Sequence, residues 1–291
     1  MATPTTTKKL TWLITGCSSG LGLTLVRIAQ AGGHKVIATS RNPSATPELV
    51  KEVESKGGRW LQLDVNNASS GSIIDELERA GEQIDVLINN AGFSMFAPIE
   101  ATSEDEIRAH METMYFGPLR LIRAVLPYQR LRRSGVIANF SSGAALEAQA
   151  SMGAYAGAKG GLDAVSKVLA KEVEPFGIRV LTILLGTFNT GMLDVCILGK
   201  APLPDEYKDT LVGQFIDIMR TGKLVPNGDK DKAMKAVYQL VVGEGFGVGK
   251  EKEKFMPLGP DMTTRMTIVQ DQLAHAKEVF GEITNGVGIE K

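Results

Sequence analysis

Three residues in one short stretch of the chain have side chains suited to moving a proton. Tyr155 and Lys159 lie four residues apart in "YAGAK", and Ser142 lies thirteen residues before the tyrosine. Residues four apart on a helix share a face, so the lysine ammonium can lower the pKa of the phenol from about 10. A serine hydroxyl beside the same oxygen polarises a carbonyl. We therefore predict a site in which Tyr155 donates a proton, Lys159 lowers its pKa and Ser142 orients a carbonyl.

The same tyrosine and lysine are also compatible with the half-exposed face of an ordinary helix. Small residues around them favour chemistry, because they would let a ligand or a second helix approach closely. These residues are Ala154, Ala156, Gly157, Ala158 and Gly160. The choice between the two interpretations depends on the rest of the chain.

A glycine-rich turn near the N-terminus predicts a phosphate-binding site. The stretch "LTWLITGCSSGLGLTLVRIAQAGG" has the pattern of a strand, a turn with three glycines and a helix. Glycine lets the backbone approach a pyrophosphate, and the N-terminus of the helix attracts negative charge. A tight turn that binds nothing is the alternative. The residues predicted to hold the phosphates are Gly16, Ser18, Ser19, Gly20, Leu21 and Gly22.

The elements that must position these residues alternate along the chain up to about residue 185. Such alternation predicts an α/β fold, a doubly wound parallel sheet of about seven strands with helices on both faces. We expect a single domain over 1–291, with a nucleotide-binding core at 10–185 and a variable substrate segment at 186–250. Short apolar runs predict strands at 10–15, 35–39, 59–64, 84–89, 135–141 and 178–184.

Beyond residue 185 the periodicity weakens. We predict a long loop there, followed by helices at about 205–220 and 230–243. The run "KEKEKF" at 250–255 predicts a solvated loop.

Composition limits the classes of function. The chain has 32 Lys and Arg residues against 33 Asp and Glu, so its net charge of −1 predicts no nucleic-acid or membrane partner. Two cysteines, Cys17 and Cys196, are too few for a disulfide framework and disfavour a zinc site, so we predict no metal and a reducing compartment. No apolar run reaches the ~18 residues of a membrane span, which makes the cytosol the expected location.

The motifs follow an order that resembles the short-chain dehydrogenase/reductase (SDR) family. They are "TGCSSGLG", "DV" at 64 and 65, "NNAG" at 89–92, Ser142, "YAGAK" and "IRVLTIL", and they cover about residues 10–190. The resemblance extends to fungal and hydroxysteroid-type carbonyl reductases. It implies a Rossmann sheet, a nicotinamide cofactor, and a homodimer or homotetramer paired through the fourth and fifth helices.

The resemblance also implies cofactor contacts outside the glycine turn. Arg123 matches a basic residue that the family often has near the cofactor, with a surface helix charge as the alternative. The other implied contacts are Asp64 and Val65 at the adenine, Asn90 in the nucleotide cleft, Phe188 and Thr190 after the sixth strand, and Tyr155 with Lys159 at the ribose.

The end of the second predicted strand indicates which nicotinamide cofactor is used. An Asp or Glu there would bind the ribose 2′-hydroxyl, whereas an arginine accommodates a 2′-phosphate. This chain has Ser40 followed by Arg41, so we predict NADP(H) over NAD(H). A solvated loop arginine is the alternative.

Two residues depart from the family pattern. Met114, in "MYFG", occupies the place of an asparagine that completes a water relay to the lysine. Methionine keeps the backbone carbonyl and loses the amide, so we expect a slower relay. Leu185 replaces the usual proline after the sixth strand. These departures are the support for an alternative, an SDR scaffold that binds NADP(H) in a regulatory or non-redox role.

The leading prediction is an NADPH-dependent ketoreductase. The substrate pocket would be built from 93–100, 145–152 and 186–225, and would suit a bulky hydrophobic or aromatic ketone, as in secondary metabolism. A third possibility, an epimerase or dehydratase of the extended SDR branch, lacks both its longer C-terminal domain and its glycine spacing. The apolar residues predicted to line the pocket include Phe93, Met95, Phe96, Met152, Phe188 and Met192.

Overall fold

Seven parallel strands form one sheet in the structure, a computed structural model that describes residues 9–190 and 197–289. The strands of the described residues are β1 Thr11–Ile14, β2 Lys35–Ser40, β3 Arg59–Gln62, β4 Val86–Asn89, β5 Met95–Phe96, β6 Gly135–Ser142, β7 Ile178–Leu185, β8 Ile197–Leu198 and β9 Phe255–Leu258. The large sheet has the order β3-β2-β1-β4-β6-β7-β9, and the short strands β5 and β8 pair separately.

Helices connect the strands of the large sheet and cover its two faces. The α-helices of the described residues are α1 Gly20–Ala31, α2 Pro47–Ser55, α3 Ser72–Arg79, α4 Glu104–Met111, α5 Gly117–Arg132, α6 Gly143–Glu147, α7 Gly153–Glu172, α8 Leu211–Arg220, α9 Lys230–Val242 and α10 Met262–Gly286. A π-helical turn, Glu112–Phe116, joins α4 to α5, and short 3₁₀ turns lie at Pro43–Ala45, Ile99–Ala101, Glu174–Phe176, Asp205–Tyr207 and Gly245–Gly247.

Two hydrophobic cores lie on opposite faces of the sheet. Successive side chains of a strand point to opposite faces, so in β1 Trp12 and Ile14 belong to one core and Leu13 to the other. The first core packs α1 and α9 against the sheet, and the second packs α3, α5 and α7. The predicted α/β doubly wound fold in a single Rossmann-like domain is confirmed, while the boundary between 10–185 and 186–250 stays a prediction.

The order of the strands reverses between β1 and β4. From this point β2 and β3 extend to one side, and β6, β7 and β9 extend to the other. In a doubly wound sheet the loops after two such strands diverge and leave a crevice at their carboxyl ends. The glycine turn follows β1, and "NNAG" begins with the last residue of β4, so both motifs lie at this crevice.

The six predicted strands are present, with ends within two residues of the predicted ones. The seventh strand, β9, was missed, because 250–255 was assigned to a solvated loop. Residues 250–254 are exposed as predicted, but Phe255 enters the sheet beside Thr182 of β7. An edge strand of four residues with a proline and only one buried side chain has no strong apolar pattern.

Two helical regions also differ from the sequence-based expectation. The predicted helix at 205–220 is divided into a 3₁₀ turn and α8, while that at 230–243 matches α9. Helix α10, with 25 residues, was not predicted. Within the described part of the chain, no helix has the length and apolar character that crossing a membrane requires.

Candidate active site

The glycine turn between β1 and α1 is shaped by close backbone contacts. Gly16 and Gly20 have φ of +70° and +57°, in the region that favours glycine. A Cβ on Gly16 would lie 2.9 Å from the Cα of Ala91, and one on Gly22 would collide with the carbonyl oxygen of Gly16. The side chain of Ser19, the residue that precedes α1, caps no helical amide. The first amides of α1 are therefore available to an anion.

Asn90 fastens this turn to the end of β4. Its side-chain amide donates hydrogen bonds to the carbonyl oxygens of Thr15 and Gly16, at 2.7 and 3.0 Å. The hydroxyl of Thr15 in turn accepts the backbone amides of Asn90 and Ala91, both at 3.0 Å. Asn90 thus has a structural role in the cleft that follows from its position in "NNAG". Thr15 shares that role and was not singled out from the sequence.

The crevice also contains the residues predicted to bind the adenosine half of the cofactor. Arg41, Asp64 and Val65 line the same cleft as the glycine turn, with Arg41 and Asp64 exposed. Ser40 accepts a hydrogen bond from the indole of Trp60 at 3.0 Å, which fixes the end of β2. This cleft has a volume of about 560 Å³, within the usual size of small-molecule sites.

Thr190 lies beside Gly20 of the glycine turn and lines the same cleft. Its Cβ is 3.6 Å from the place where a Cβ on Gly20 would lie. The Thr190 hydroxyl oxygen is buried and has no hydrogen-bond partner among residues 9–190 and 197–289. Together with the glycine cradle and the uncapped start of α1, this unpaired hydroxyl fits a dinucleotide, because a bound cofactor would supply polar partners.

The three residues predicted to move a proton converge at the end of β6 and the start of α7. Ser142 ends β6, and its hydroxyl oxygen accepts the amide of Ala144 at 3.2 Å. The Ser142 hydroxyl also forms a hydrogen bond with Tyr155, which lies in the first turn of α7. One turn later, Lys159 is buried and its Nζ donates to the carbonyl oxygen of Phe140 at 2.6 Å.

Burial controls both pKa values in this group. It raises the pKa of Tyr155, while the hydrogen bond from Ser142 acts in the opposite direction. The prediction that Lys159 lowers the pKa of Tyr155 stays a prediction, and in this structure the ammonium is bonded to the Phe140 carbonyl. The pKa of Lys159 is itself lowered to about 8 by burial, against the attraction of Asp163.

Comparison with known proteins identifies the family. The model for short chain dehydrogenase matches residues 11–196. This chain belongs to the short-chain dehydrogenase family. Oxidoreductase BOA17 of Botryotinia fuckeliana is 30% identical over 275 residues, which cover 94% of this chain and 97% of that protein. Oxidoreductase claN of Passalora fulva is 38% identical over 181 residues, 62% of this chain and 83% of that protein.

Solved structures agree with this assignment. A short-chain dehydrogenase from Streptomyces avermitilis superposes with a TM-score of 0.84 at 31% identity, covering 97% of this chain and 99% of that chain. A short-chain dehydrogenase from Sphingobium yanoikuyae, in complex with NADPH, has a TM-score of 0.71 at 21% identity and covers 97% and 98% of the two chains. The second likeness concerns the fold alone. The chain is an oxidoreductase of the SDR family.

Asp163 is a residue of this SDR site that the sequence analysis missed. It lies four residues after Lys159 on α7, so Tyr155, Lys159 and Asp163 share one face of the helix. Burial raises the pKa of its carboxyl group, against the effects of the Ser141 hydroxyl and of Lys159. The i, i+4 spacing beyond the lysine was the signal in the sequence that could have found it.

Met114 lies where the sequence predicted, near the lysine of this SDR site. It is fully buried and lies within the π-helical turn between α4 and α5. A Cβ on Gly92 would be 3.3 Å from the Met114 sulfur and 3.7 Å from the Lys159 Nζ. A thioether thus occupies space close to the ammonium and offers only a weak acceptor there.

Of the three segments predicted to build the substrate pocket, 93–100 is hydrogen-bonded to each of the other two. Strand β5 pairs with β8, and the amide of Ala97 donates to the carbonyl oxygen of Ser151 at 2.8 Å. An apolar cluster then joins these segments to the tyrosine and to α8. Its buried members are Phe96, Met114, Ala144, Met152, Tyr155, Ala158 and Ile216.

Some predicted site residues are not brought into the cleft. Arg123 is exposed on α5 and is not part of the cleft lining, as expected for a surface helix charge. Phe188 packs in the core beside Gly228, away from both the cleft lining and the cluster around Tyr155. Gly22 lies buried beneath the turn. Met192 and Cys196 lie outside the described residues.

Proposed function

We propose that this protein reduces a ketone on a bulky hydrophobic or aromatic small molecule to the alcohol with NADPH, or catalyses the reverse reaction. The observation that carries the proposal is the hydrogen bond between Ser142 and Tyr155, with Lys159 one helical turn away. Tyr155 and Lys159 line the same cleft as the glycine turn and Arg41. When bound, the cofactor would supply the hydride.

Arg41 supports NADPH over NADH. It lines the cleft at the end of β2, where an acidic residue would repel a 2′-phosphate. Its guanidinium is always charged and can donate two parallel hydrogen bonds to phosphate oxygens. The fold neighbour from Sphingobium yanoikuyae, which is bound to NADPH, adds support from fold alone. The glycine turn would hold the pyrophosphate, and Asp64 and Val65 would contact the adenine.

The proton chemistry follows from the surroundings of Tyr155. The phenol, whose pKa burial raises, keeps its proton at neutral pH and can give it to the carbonyl oxygen as negative charge develops there during reduction. Ser142 already accepts the Ala144 amide, so its own hydrogen is free to be donated to the phenol oxygen or to the carbonyl. After the transfer, the Lys159 ammonium would stabilise the phenolate that remains.

The apolar cluster around Tyr155 supports a hydrophobic substrate. Phe96 and Met152 pack near the tyrosine, and Ile216 reaches the same cluster from α8. Partly buried residues from α8 and the loop before it extend the apolar surface: Leu203, Val212 and Met219. A ketone with a large apolar body would bury surface against these side chains, while a small polar ketone would not.

The test measures oxidation of NADPH and of NADH by the purified protein with a panel of aromatic, cyclic and small polar ketones. We expect turnover with NADPH and the bulky ketones, and loss of that turnover in Tyr155→Phe with unchanged NADPH binding. Full activity in Tyr155→Phe would overturn the mechanism. NADPH binding without oxidation across the whole panel would support the alternative, a cofactor-binding scaffold.

A further inference from the structure

Helix α10 exposes an unusually large apolar surface. Met262 is the only buried residue of this helix, and every side chain from 270 to 280 is exposed. Leu273, Phe280 and Ile283 are 67%, 56% and 67% exposed, although each is a large apolar residue. At a rise of about 1.5 Å per residue, the helix extends for ~37 Å. Contiguous apolar surface of this kind marks an interaction site.

Apart from Met262, Ala274 and the exposed Ile268 and Val279, the apolar residues of α10 follow a heptad repeat. Their spacing alternates between three and four residues over nearly the whole helix, which gives a mean period of 3.5 residues and is typical of a coiled coil. This set, called the seam, continues one residue beyond the helix end. It consists of Met266, Val269, Leu273, Ala276, Phe280, Ile283 and Val287.

The charges of α10 lie mainly away from the seam. Asp271, Glu278 and Glu282 occupy the outward heptad positions, and Gln270, Gln272 and Lys277 flank the seam. Two copies of the helix could therefore pair without placing acidic groups against each other. From residue 262 onward the described helix has two basic residues, Arg265 and Lys277, against three acidic ones, a charge that disfavours an anionic lipid surface.

The side-chain volumes along the seam fit an antiparallel pair. A parallel pair would place Phe280 against Phe280 and Ala276 against Ala276, one layer overfilled and the other underfilled. In an antiparallel pair centred between residues 274 and 275, Ala276 and Phe280 each meet a residue of different size, and the remaining layer joins two residues of similar size. The opposed residues are then Leu273 with Ala276, Val269 with Phe280, and Met266 with Ile283.

From this geometry we infer that α10 of one protein molecule pairs antiparallel with α10 of a second copy along the seam. The helix needs such a partner, since Gly281, Asn285 and Gly286 are poor helix formers and an isolated helix of this composition is marginal in water. At its first turn α10 is already fastened to its own domain, where Arg265 forms ion pairs with Asp261 and Glu147. The interface is distinct from the pairing through other helices that the family resemblance implies.

The first experiment measures the molar mass of the full chain by light scattering during size exclusion over a range of concentrations. The seam variant Leu273→Asp with Phe280→Asp is compared with Ala274→Asp with Asn285→Asp, which adds the same charge to the outward face. We expect the mass of the seam variant to be half that of the wild type, and the control to match the wild type. Equal masses for all three proteins, or a monomeric wild type, would overturn the inference.

The second experiment tests the orientation by disulfide formation. Val269→Cys and Phe280→Cys proteins are mixed under mild oxidation, with the wild type as the control for Cys17 and Cys196. A cross-linked dimer that forms only in the mixture is expected for the antiparallel pair. Dimers formed by each variant alone would contradict it. A last outcome would overturn the inference by assigning the seam to lipid. In that outcome the wild type and the seam variant have equal molar masses in solution, and only the wild type binds phosphatidylcholine vesicles.

Discussion

At one end of the cleft the glycine turn keeps its shape through backbone contacts, whereas at the other end function depends on buried ionisable side chains. Gly16 and Gly22 pack against backbone atoms, and Asn90 bonds to backbone carbonyl oxygens. Tyr155 and Lys159 instead have pKa values that burial moves from their usual values. Binding and chemistry should therefore respond separately to substitution, even though the two ends belong to one cleft.

The largest expected effect is on turnover, at the proton end. Ser142→Ala removes the hydroxyl that bonds to Tyr155, and with it a donor for the carbonyl oxygen. We expect kcat to fall by roughly 10²- to 10³-fold. The NADPH dissociation constant, measured by fluorescence titration, should stay the same. Ser142→Thr keeps a hydroxyl and should retain more activity, so equal losses in the two variants would argue against a role for the hydroxyl.

The glycine turn should show the reverse behaviour. In Gly22→Ala the new methyl group would collide with the Gly16 carbonyl and the Asn90 amide, so the turn must shift. We expect NADPH affinity to fall by up to about 100-fold, with a loss of about 1–3 kcal/mol in unfolding free energy. The control is Gly33→Ala, just after the same helix, because its new Cβ would meet no atom within 4 Å. Its φ of +81° adds backbone strain, so this control can lose stability but should keep its NADPH affinity. NADPH affinity in Gly22→Ala equal to that of the wild type would contradict the geometry.

Arg41 differs from both ends of the cleft, because it should affect only the choice between NADPH and NADH. Arg41→Ala removes a charged donor to a 2′-phosphate, and we expect NADPH affinity to fall about 10- to 100-fold while NADH affinity changes little. The ratio of kcat/KM for the two cofactors measures this. Arg59→Ala removes an exposed arginine from the neighbouring strand and serves as the control. An unchanged ratio in Arg41→Ala would favour the solvated loop arginine.

The two ends also differ in what the sequence could predict. The shape of the turn follows from residue type, because only glycine accepts both the positive φ at Gly16 and the close approach at Gly22. At the proton end, type and spacing correctly predicted that Ser142 and Tyr155 would meet. The rise that burial causes in the pKa of Tyr155 was not foreseen, because that burial depends partly on residues from β5 and α8, which are distant in sequence.

The elements that were missed lack a local pattern or a local partner. Strand β9 has one buried side chain and relies on pairing with β7. Helix α10 has a heptad repeat, but its apolar residues are exposed and contribute almost nothing to the domain core. Arg123 and Phe188 were named by family position alone, and neither lines the cleft.

The pH dependence should report on Lys159 and Asp163. The pKa of Lys159 is about 8, so the ammonium loses its proton, and activity that needs its charge falls, as the pH rises through that value. Asp163 opposes this loss by attraction. Asp163→Asn should therefore lower the pKa further and shift the alkaline limb of kcat to lower pH, by about one unit or less. The control Asp271→Asn, on the exposed part of α10, should leave the alkaline limb of kcat at the same pH. A shift of that limb to higher pH in Asp163→Asn would contradict the prediction that Asp163 raises the pKa of Lys159.

The smallest effect is expected at Met114, where the buried thioether lies close to Lys159. Met114→Asn restores an amide that can bond to a water beside the ammonium, so proton return to the lysine should become faster. We expect kcat to rise only a few-fold, because the backbone carbonyl of residue 114, which both residues have, can itself accept a hydrogen bond from such a water. Met114→Leu gives the control, since it fills similar volume without a polar group. Activity in Met114→Asn at or below that of Met114→Leu would show that the relay does not limit turnover, and the proton end would then depend on Ser142, Tyr155 and Lys159 alone.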